Sequence, residues 1–328
     1  MEQLKNLNSP STTLAWFWMK VPLVVRSILI GFAVNTLGVG IWVILANNVP
    51  VPWSVVAMGA VLIIYWLYFR GKGAPSGTKE FRRFCTRQTS LKRYVWIWGV
   101  MAAFSIILLL HWGFVLKFRI DEFQPEIFKT AGFLNDYPVW EAWSMIVMAS
   151  LVAGVCEEVG FRGYMQKPLE QKYGPVVGIS ITSLVFVVVH LHQVWASGIL
   201  LGIFLISFII GYLAYSTNSL LPGIIAHASF DVINFSYWWS DVAGTFEYKP
   251  VSITGVDNHF ILTLMVLISS FVLFVVAIRQ LLRVKESGVF LTQRTARFVG
   301  GTALRSRTRL PVTNVSPLRG LTLLASWL

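Results

Sequence analysis

Five stretches of 15 residues or more carry no Asp, Glu, Lys or Arg: Ser27–Phe69, Tyr94–Leu116, Ala142–Cys156, Tyr173–Phe230 and Asn258–Ile278. The first is 43 residues long and the fourth 58. A helix needs about 20 apolar residues to cross roughly 30 Å of bilayer hydrocarbon. The first stretch therefore holds two spans, with a turn at Asn47-Asn48-Val49-Pro50, and the fourth holds two spans and the start of another. Because lipid offers backbone groups no hydrogen-bond partner, the spans are expected to be helices. The expected fold class is all-α, a polytopic membrane helical bundle of about eight transmembrane helices. They are placed near 27–46, 51–69, 94–116, 139–158, 176–194, 198–216, 221–239 and 259–281.

Composition agrees. Hydrophobic residues make up 55% of the 328 and charged residues 13%, with a mean hydropathy of +0.66. The charged share is about half that of a soluble domain. A soluble enzyme, a disordered chain and a disulfide scaffold are all excluded on that ground. Cys85 and Cys156 are expected to be free thiols.

The net charge of +12 raises the question of nucleic acid. Its distribution answers otherwise. Loop 70–93 holds eight Lys or Arg against Glu80, and the Arg-rich segment 279–328 holds one acid, Glu286. Loops 117–138 and 240–258 carry more acids than bases. Positive loops remain in the cytoplasm, and an even number of spans then puts both termini there. The tail is read as a topology signal and anionic-lipid contact; no nucleic-acid recognition motif accompanies it. Residues 1–26 are expected to form a cytoplasmic or interfacial segment without a cleavable signal, in which 11–25 lie along the interface as a helix. Residues 27–282 form the transmembrane domain and 283–328 a basic cytoplasmic tail. The architecture suits a bacterial inner membrane.

Ionisable groups within a membrane are costly and mark function by default. Those inside the spans include His111, Glu141 and three local clusters. In Glu157-Glu158-Val159-Gly160-Phe161-Arg162, Glu158 and Arg162 stand i,i+4 with the acid first, the better order for an ion pair. Glu157 lies about 100° further round the helix and lacks that partner. An acid beside a fixed ion pair in a low-dielectric site suits proton transfer; the plain alternative is a charged cap on span four. In the second cluster, Phe186 and His190 share one helix face, and His190 could equally be a structural histidine. His192, roughly 200° away, is read as a supporting or loop residue. In the third, His227 and Asp231 again stand i,i+4. Such a pair can bind a metal, orient one another, hold an oxyanion or serve only as a buried structural pair. Three acids and three histidines on consecutive apolar spans are explained most economically by one shared site.

The series Glu-Glu-x-x-x-Arg, Phe-x-x-x-His and His-x-x-x-Asp, in this order on successive spans, resembles the CPBP (CAAX protease and bacteriocin-processing, Abi) family of intramembrane proteases, which includes the Rce1-type prenyl-protein endopeptidases. The resemblance covers about residues 139–240. It implies an endopeptidase acting on a membrane-associated, prenylated or leader peptide substrate within the lipid bilayer. Glu157 and His190 would activate water, Glu158 and Arg162 would brace the site, and His227 and Asp231 would hold the oxyanion. An ionised Asp231 has no proton to donate, so it is protonated, orients His227 or acts as a ligand. The family allows a metal-free glutamate mechanism or a divalent metal such as zinc; if a metal is used, Glu157, His190 and His227 would hold it. No His-Glu-x-x-His motif is present, and the metal-free form is preferred. The alternatives are a catalytically silent immunity or scaffold protein and a proton-coupled transporter. At 1.5 Å per residue, His190 sits about 21 Å along span five, whereas Glu157 falls near the inner end of span four. The two meet only if 163–175 dips into the membrane, span four starts higher or span five tilts. The cavity is expected to open to the cytoplasm.

Overall fold

The computed structural model describes residues 17–18, 20–88, 91–121, 129–191 and 198–286. His192 and the tail beyond 286 fall outside the described residues, as do 11–16 and 19 of the interface helix expected at 11–25, whose last residues, 23–25, begin α1. Among those residues the fold is all-α. The helices are α1 (Leu23–Asn48), α2 (Trp53–Phe69), α3 (Lys79–Cys85) and α4 (Arg93–Ile120). Next come α5 (Val139–Val152), a π-helical segment (Ala153–Met165) and α6 (Gln166–Tyr173), which run on as a single rod. There follow α7 (Pro175–Val189), α8 (Ile199–Thr217), α9 (Leu221–Ile233) with a π-turn (Asn234–Trp238), α10 (Val251–Thr254) and α11 (Asn258–Glu286).

Helices lie in all eight expected spans, the fifth ending at Val189 and not at 194. Five are long and apolar enough to cross a membrane: α1, α4, the 139–173 rod, α8 and α11. The apolar α2 and α7 are shorter, at 17 and 15 residues. Their outer faces carry large aliphatic groups, among them Ile44, Ile64, Leu184 and Ile268, each more than half exposed. A soluble protein would hide such surface; a bilayer solvates it. The chain is a multi-pass membrane protein.

Span four departs from expectation. It does not end near residue 158 but continues as helix to Tyr173. Gly174, at φ 86°, turns the chain into α7. Glu157 lies 17 residues before this turn and His190 lies 16 after it. The two arms of the hairpin, each about 25 Å at helical rise, therefore bring both residues to one level. Residues 163–173 are helical, so the two arms of this hairpin bring Glu157 and His190 together without a loop between spans.

Glycines let the rod approach its neighbours. Membrane helices associate through close backbone packing at small residues, since lipid tails supply no hydrophobic drive. A Cβ on Gly160 would lie 2.7 Å from the Gly31 carbonyl of α1, and one on Gly38 would lie 2.2 Å from the Cys156 sulfur. One on Gly154 would meet the Ala228 Cβ of α9 at 2.8 Å. The rod is thus clamped between α1 and α9 at the level of Glu157 and Glu158. A buried cluster including Trp42, Met58, Tyr65, Phe69 and Tyr164 joins α1 and α2 to it, and the Tyr65 hydroxyl donates to the Val34 carbonyl at 2.9 Å.

The basic loop between α2 and α4 is not wholly a surface feature. Arg82 and Arg87 are buried. Arg82 donates to the carbonyls of Tyr68, Lys72, Gly73 and Pro75, which folds the loop around it. The charge count alone had assigned both to the aqueous face.

Candidate functional site

Glu157, Glu158 and Arg162 all lie in the π-helical segment, whose i→i+5 bonding usually appears as single turns and often beside functional sites. Here it runs for 13 residues. The expected Glu158–Arg162 pair forms at 3.3 Å, with side chains 0% and 1% exposed. Two charges sealed this far from water need further partners, and they have them. Arg162 reaches the Ser207 hydroxyl of α8 at 3.2 Å and places its guanidinium 4.7 Å from the centre of the Phe186 ring. Glu158 Oε1 lies 2.9 Å from His227 Nδ1.

His227 is the hub. With Nδ1 held by Glu158, its Nε2 faces Asp231 Oδ2 at 3.5 Å and Glu157 Oε2 at 3.8 Å. The pairing of His227 and Asp231 expected from their i,i+4 spacing is present. Both distances exceed a normal hydrogen bond and suit a bridging water. Glu157, His227 and Asp231 retain 17%, 12% and 13% side-chain exposure. His227 and Asp231 border open space, and Glu158 lies sealed behind them. Glu157 Oε2 has no hydrogen-bond partner among the described residues.

His190 caps the end of α7. Its Nδ1 is 2.8 Å from the Phe186 carbonyl one turn back, and its ring stacks on Phe186 with centroids 4.3 Å apart. If Nδ1 carries the proton, Nε2 is an acceptor. Phe186 is thus sandwiched between His190 and Arg162, with the His227 ring 6.4 Å away. A cavity of about 80 Å³ is lined by Arg162, His190, His227 and Asp231, together with Asn234 and Trp239. His111 lies outside the cluster, among the rings of Trp112, Tyr237 and Trp238.

A larger apolar cavity of about 400 Å³ shares Leu110, Ile203, Ile206, Phe230, Asn234 and Trp239 with this small one. It continues along α4 to Lys117 and past Gly198, towards the helix ends farthest from the loop that holds Arg82. The two cavities thus run from His190 and His227 towards those helix ends.

Sequence reasoning did not find Ser207, Asn234 or Trp239. Ser207 is an ordinary small residue on an apolar span, and Asn234 and Trp239 carry no motif. The only signal was position: Asn234 follows Asp231 by three residues, close to one helical turn.

Among the described residues, no three His, Cys, Asp or Glu side chains stand where they could hold a metal ion. His227 Nδ1 is engaged by Glu158, and one nitrogen of His190 faces a backbone carbonyl. The expected trio of Glu157, His190 and His227 does not form a ligand set here, and the chemistry below uses the chain's own groups.

No curated protein and no solved structure matches the chain. A family model does, the one described as type II CAAX prenyl endopeptidase Rce1-like, over residues 138–233. The matched segment runs from the start of α5 to the end of α9 and so contains every charged residue of the cluster. Over this segment the chain is similar to the Rce1-like type II CAAX prenyl endopeptidases.

Proposed function

We propose that the chain cleaves a peptide bond of a membrane-associated substrate, prenylated or leader-type, by attack of a water held between Glu157 and His227. The observation that carries this reading is His227 Nε2, which faces Asp231 Oδ2 at 3.5 Å and Glu157 Oε2 at 3.8 Å beside the cavity that His190, His227 and Asp231 line. Glu157 takes a proton from the water as its oxygen bonds to the scissile carbonyl carbon, and His190 helps to orient that water through Nε2. His227 acts as the imidazolium throughout: its Nδ1–H donates to Glu158, which Arg162 anchors, and its Nε2–H donates to the developing oxyanion. Asp231 orients and stabilises the imidazolium, a role that needs no proton of its own. When the intermediate collapses, the C–N bond breaks and the proton on Glu157 passes to the departing amine.

The test is cleavage by the purified full chain in detergent. The substrates are a fluorescence-quenched peptide with a farnesylated Cys followed by three residues, and an unprenylated leader peptide in parallel. His227→Ala is expected to lose about 10² to 10³ in rate, as for other oxyanion donors. Equal rates for wild type and variant on every substrate would remove His227 from the chemistry.

We further infer that both termini lie in the cytoplasm, with loop 70–93 on the same side. The charge asymmetry of the loops supports this. Reporter fusions after Arg83 and after Lys249 are expected on opposite sides of the membrane; both on one side would overturn the orientation.

A further inference from the structure

Arg87 is the least expected residue beside the site. It comes from the basic loop that follows α3, yet its side chain is 0% exposed and that of its partner Glu170 only 5%. The pair is bidentate: Nη2 donates to Glu170 Oε1 at 2.6 Å and Nη1 to Oε2 at 3.1 Å. The same guanidinium then turns to the rod. Nε and Nη2 donate to the backbone carbonyl of Arg162 at 3.3 and 3.2 Å. A planar fork with five donors can serve a carboxylate and a carbonyl at once; an ammonium cannot match that geometry. The Arg87 backbone is held at φ 53°, a left-handed conformation that side chains disfavour and that surrounding contacts must impose.

The contacts continue into α8. Gln166 donates to Glu170 Oε1 at 2.5 Å and to the Gly211 carbonyl at 2.9 Å. One turn away the Arg162 side chain meets Ser207. Two rungs four residues apart therefore tie the rod to α8. A Cβ on Gly211 would stand 2.8 Å from Gln166 Oε1, so a larger residue there would shift the Gln166 amide. At the switch from π to α winding, the Gln166 N–H bonds to the carbonyls of Gly163 and Phe161 and passes over that of Arg162. Arg87 supplies donors to the carbonyl left out.

We propose that Arg87 is a positioning residue. It fixes the end of the π-helical segment and so sets the direction in which Arg162 holds Glu158, and Glu158 holds His227. The Arg87 side chain is sealed from the surface and acts through the backbone of Arg162. For its effect on rate the inference rests on the endopeptidase reading above, but the clamp itself does not.

The experiment compares Arg87→Lys with Arg82→Lys in the full chain. Lysine at 87 can still neutralise Glu170 and spare the fold, but it cannot also cradle the carbonyl. Arg82 is equally buried in the same loop and donates to carbonyls of that loop and of Tyr68 at the end of α2, not to the 153–173 part of the rod, so it reports damage to the loop and its root. Amide hydrogen exchange of peptides covering 153–165 is expected to rise several-fold in Arg87→Lys and to stay at the wild-type rate in Arg82→Lys. On the farnesylated peptide, Arg87→Lys is expected to lose at least tenfold in kcat with KM within about twofold, while Arg82→Lys keeps its kcat. Unchanged exchange in Arg87→Lys, or an equal rise in both variants, overturns the clamp whether or not the chain cleaves anything. A normal kcat beside altered exchange overturns the positioning role. If wild type cleaves neither peptide while exchange responds as expected, the endopeptidase reading fails and the clamp stands.

Discussion

Glu157→Gln is expected to reduce peptide cleavage by at least about 10², the lower bound for loss of a general base, with no loss of folded protein. Glutamine has nearly the shape of glutamate but cannot take a proton from water. Glu157 Oε2 makes no hydrogen bond among the described residues, and its approach to His227 is 3.8 Å, so no packing contact depends on its charge. His227 keeps its bond to Glu158 in the variant. Cleavage rate is to be measured beside detergent-solubilised yield and melting temperature. A variant that folds and keeps more than about a tenth of the rate removes Glu157 from the role of base.

That expectation could be framed from the sequence because the spacing rules held locally. Glu158 and Arg162, and His227 and Asp231, were legible as i,i+4 pairs, and Glu157 as the acid left over. The eight helical segments were legible too, since a run without charge longer than a bilayer is thick admits few other folds. What escaped was where the charged residues at the borders go. Lys167, Glu170 and Lys172 look like a loop after Arg162, yet they are helical and carry the chain to the turn at Gly174. Arg82 and Arg87 looked like topology markers because a charge count sums residues without placing them. Burial of an arginine depends on carbonyls and a carboxylate gathered from distant positions, such as Arg162 and Glu170, and no local pattern announces that. The π winding likewise has no periodicity of its own in the sequence. Its trace is the spacing of Gly154, Gly160 and Gly163, each of which meets a different neighbour.

Glu158→Gln is expected to fail differently, through the fold as well as the rate. Glu158 is fully buried and serves two partners, Arg162 at 3.3 Å and His227 at 2.9 Å. Removing its charge leaves the Arg162 guanidinium sealed from water without a counter-ion. Breaking a buried pair from one side costs about 3–5 kcal/mol, more than the pair itself contributes, because the remaining charge is uncompensated. Solubilised yield and melting temperature should therefore fall along with cleavage. The double variant Glu158→Gln/Arg162→Met separates the two losses. Replacing both charges with groups of similar volume is often neutral for stability, so melting temperature should recover towards wild type. Cleavage should not recover, since His227 would still lack the carboxylate to which its Nδ1–H donates. A double variant that regains both stability and rate would show that the pair only supports the bundle. One that regains neither would show that the contacts of Arg162 with Ser207 and Phe186 stabilise the bundle independently of Glu158.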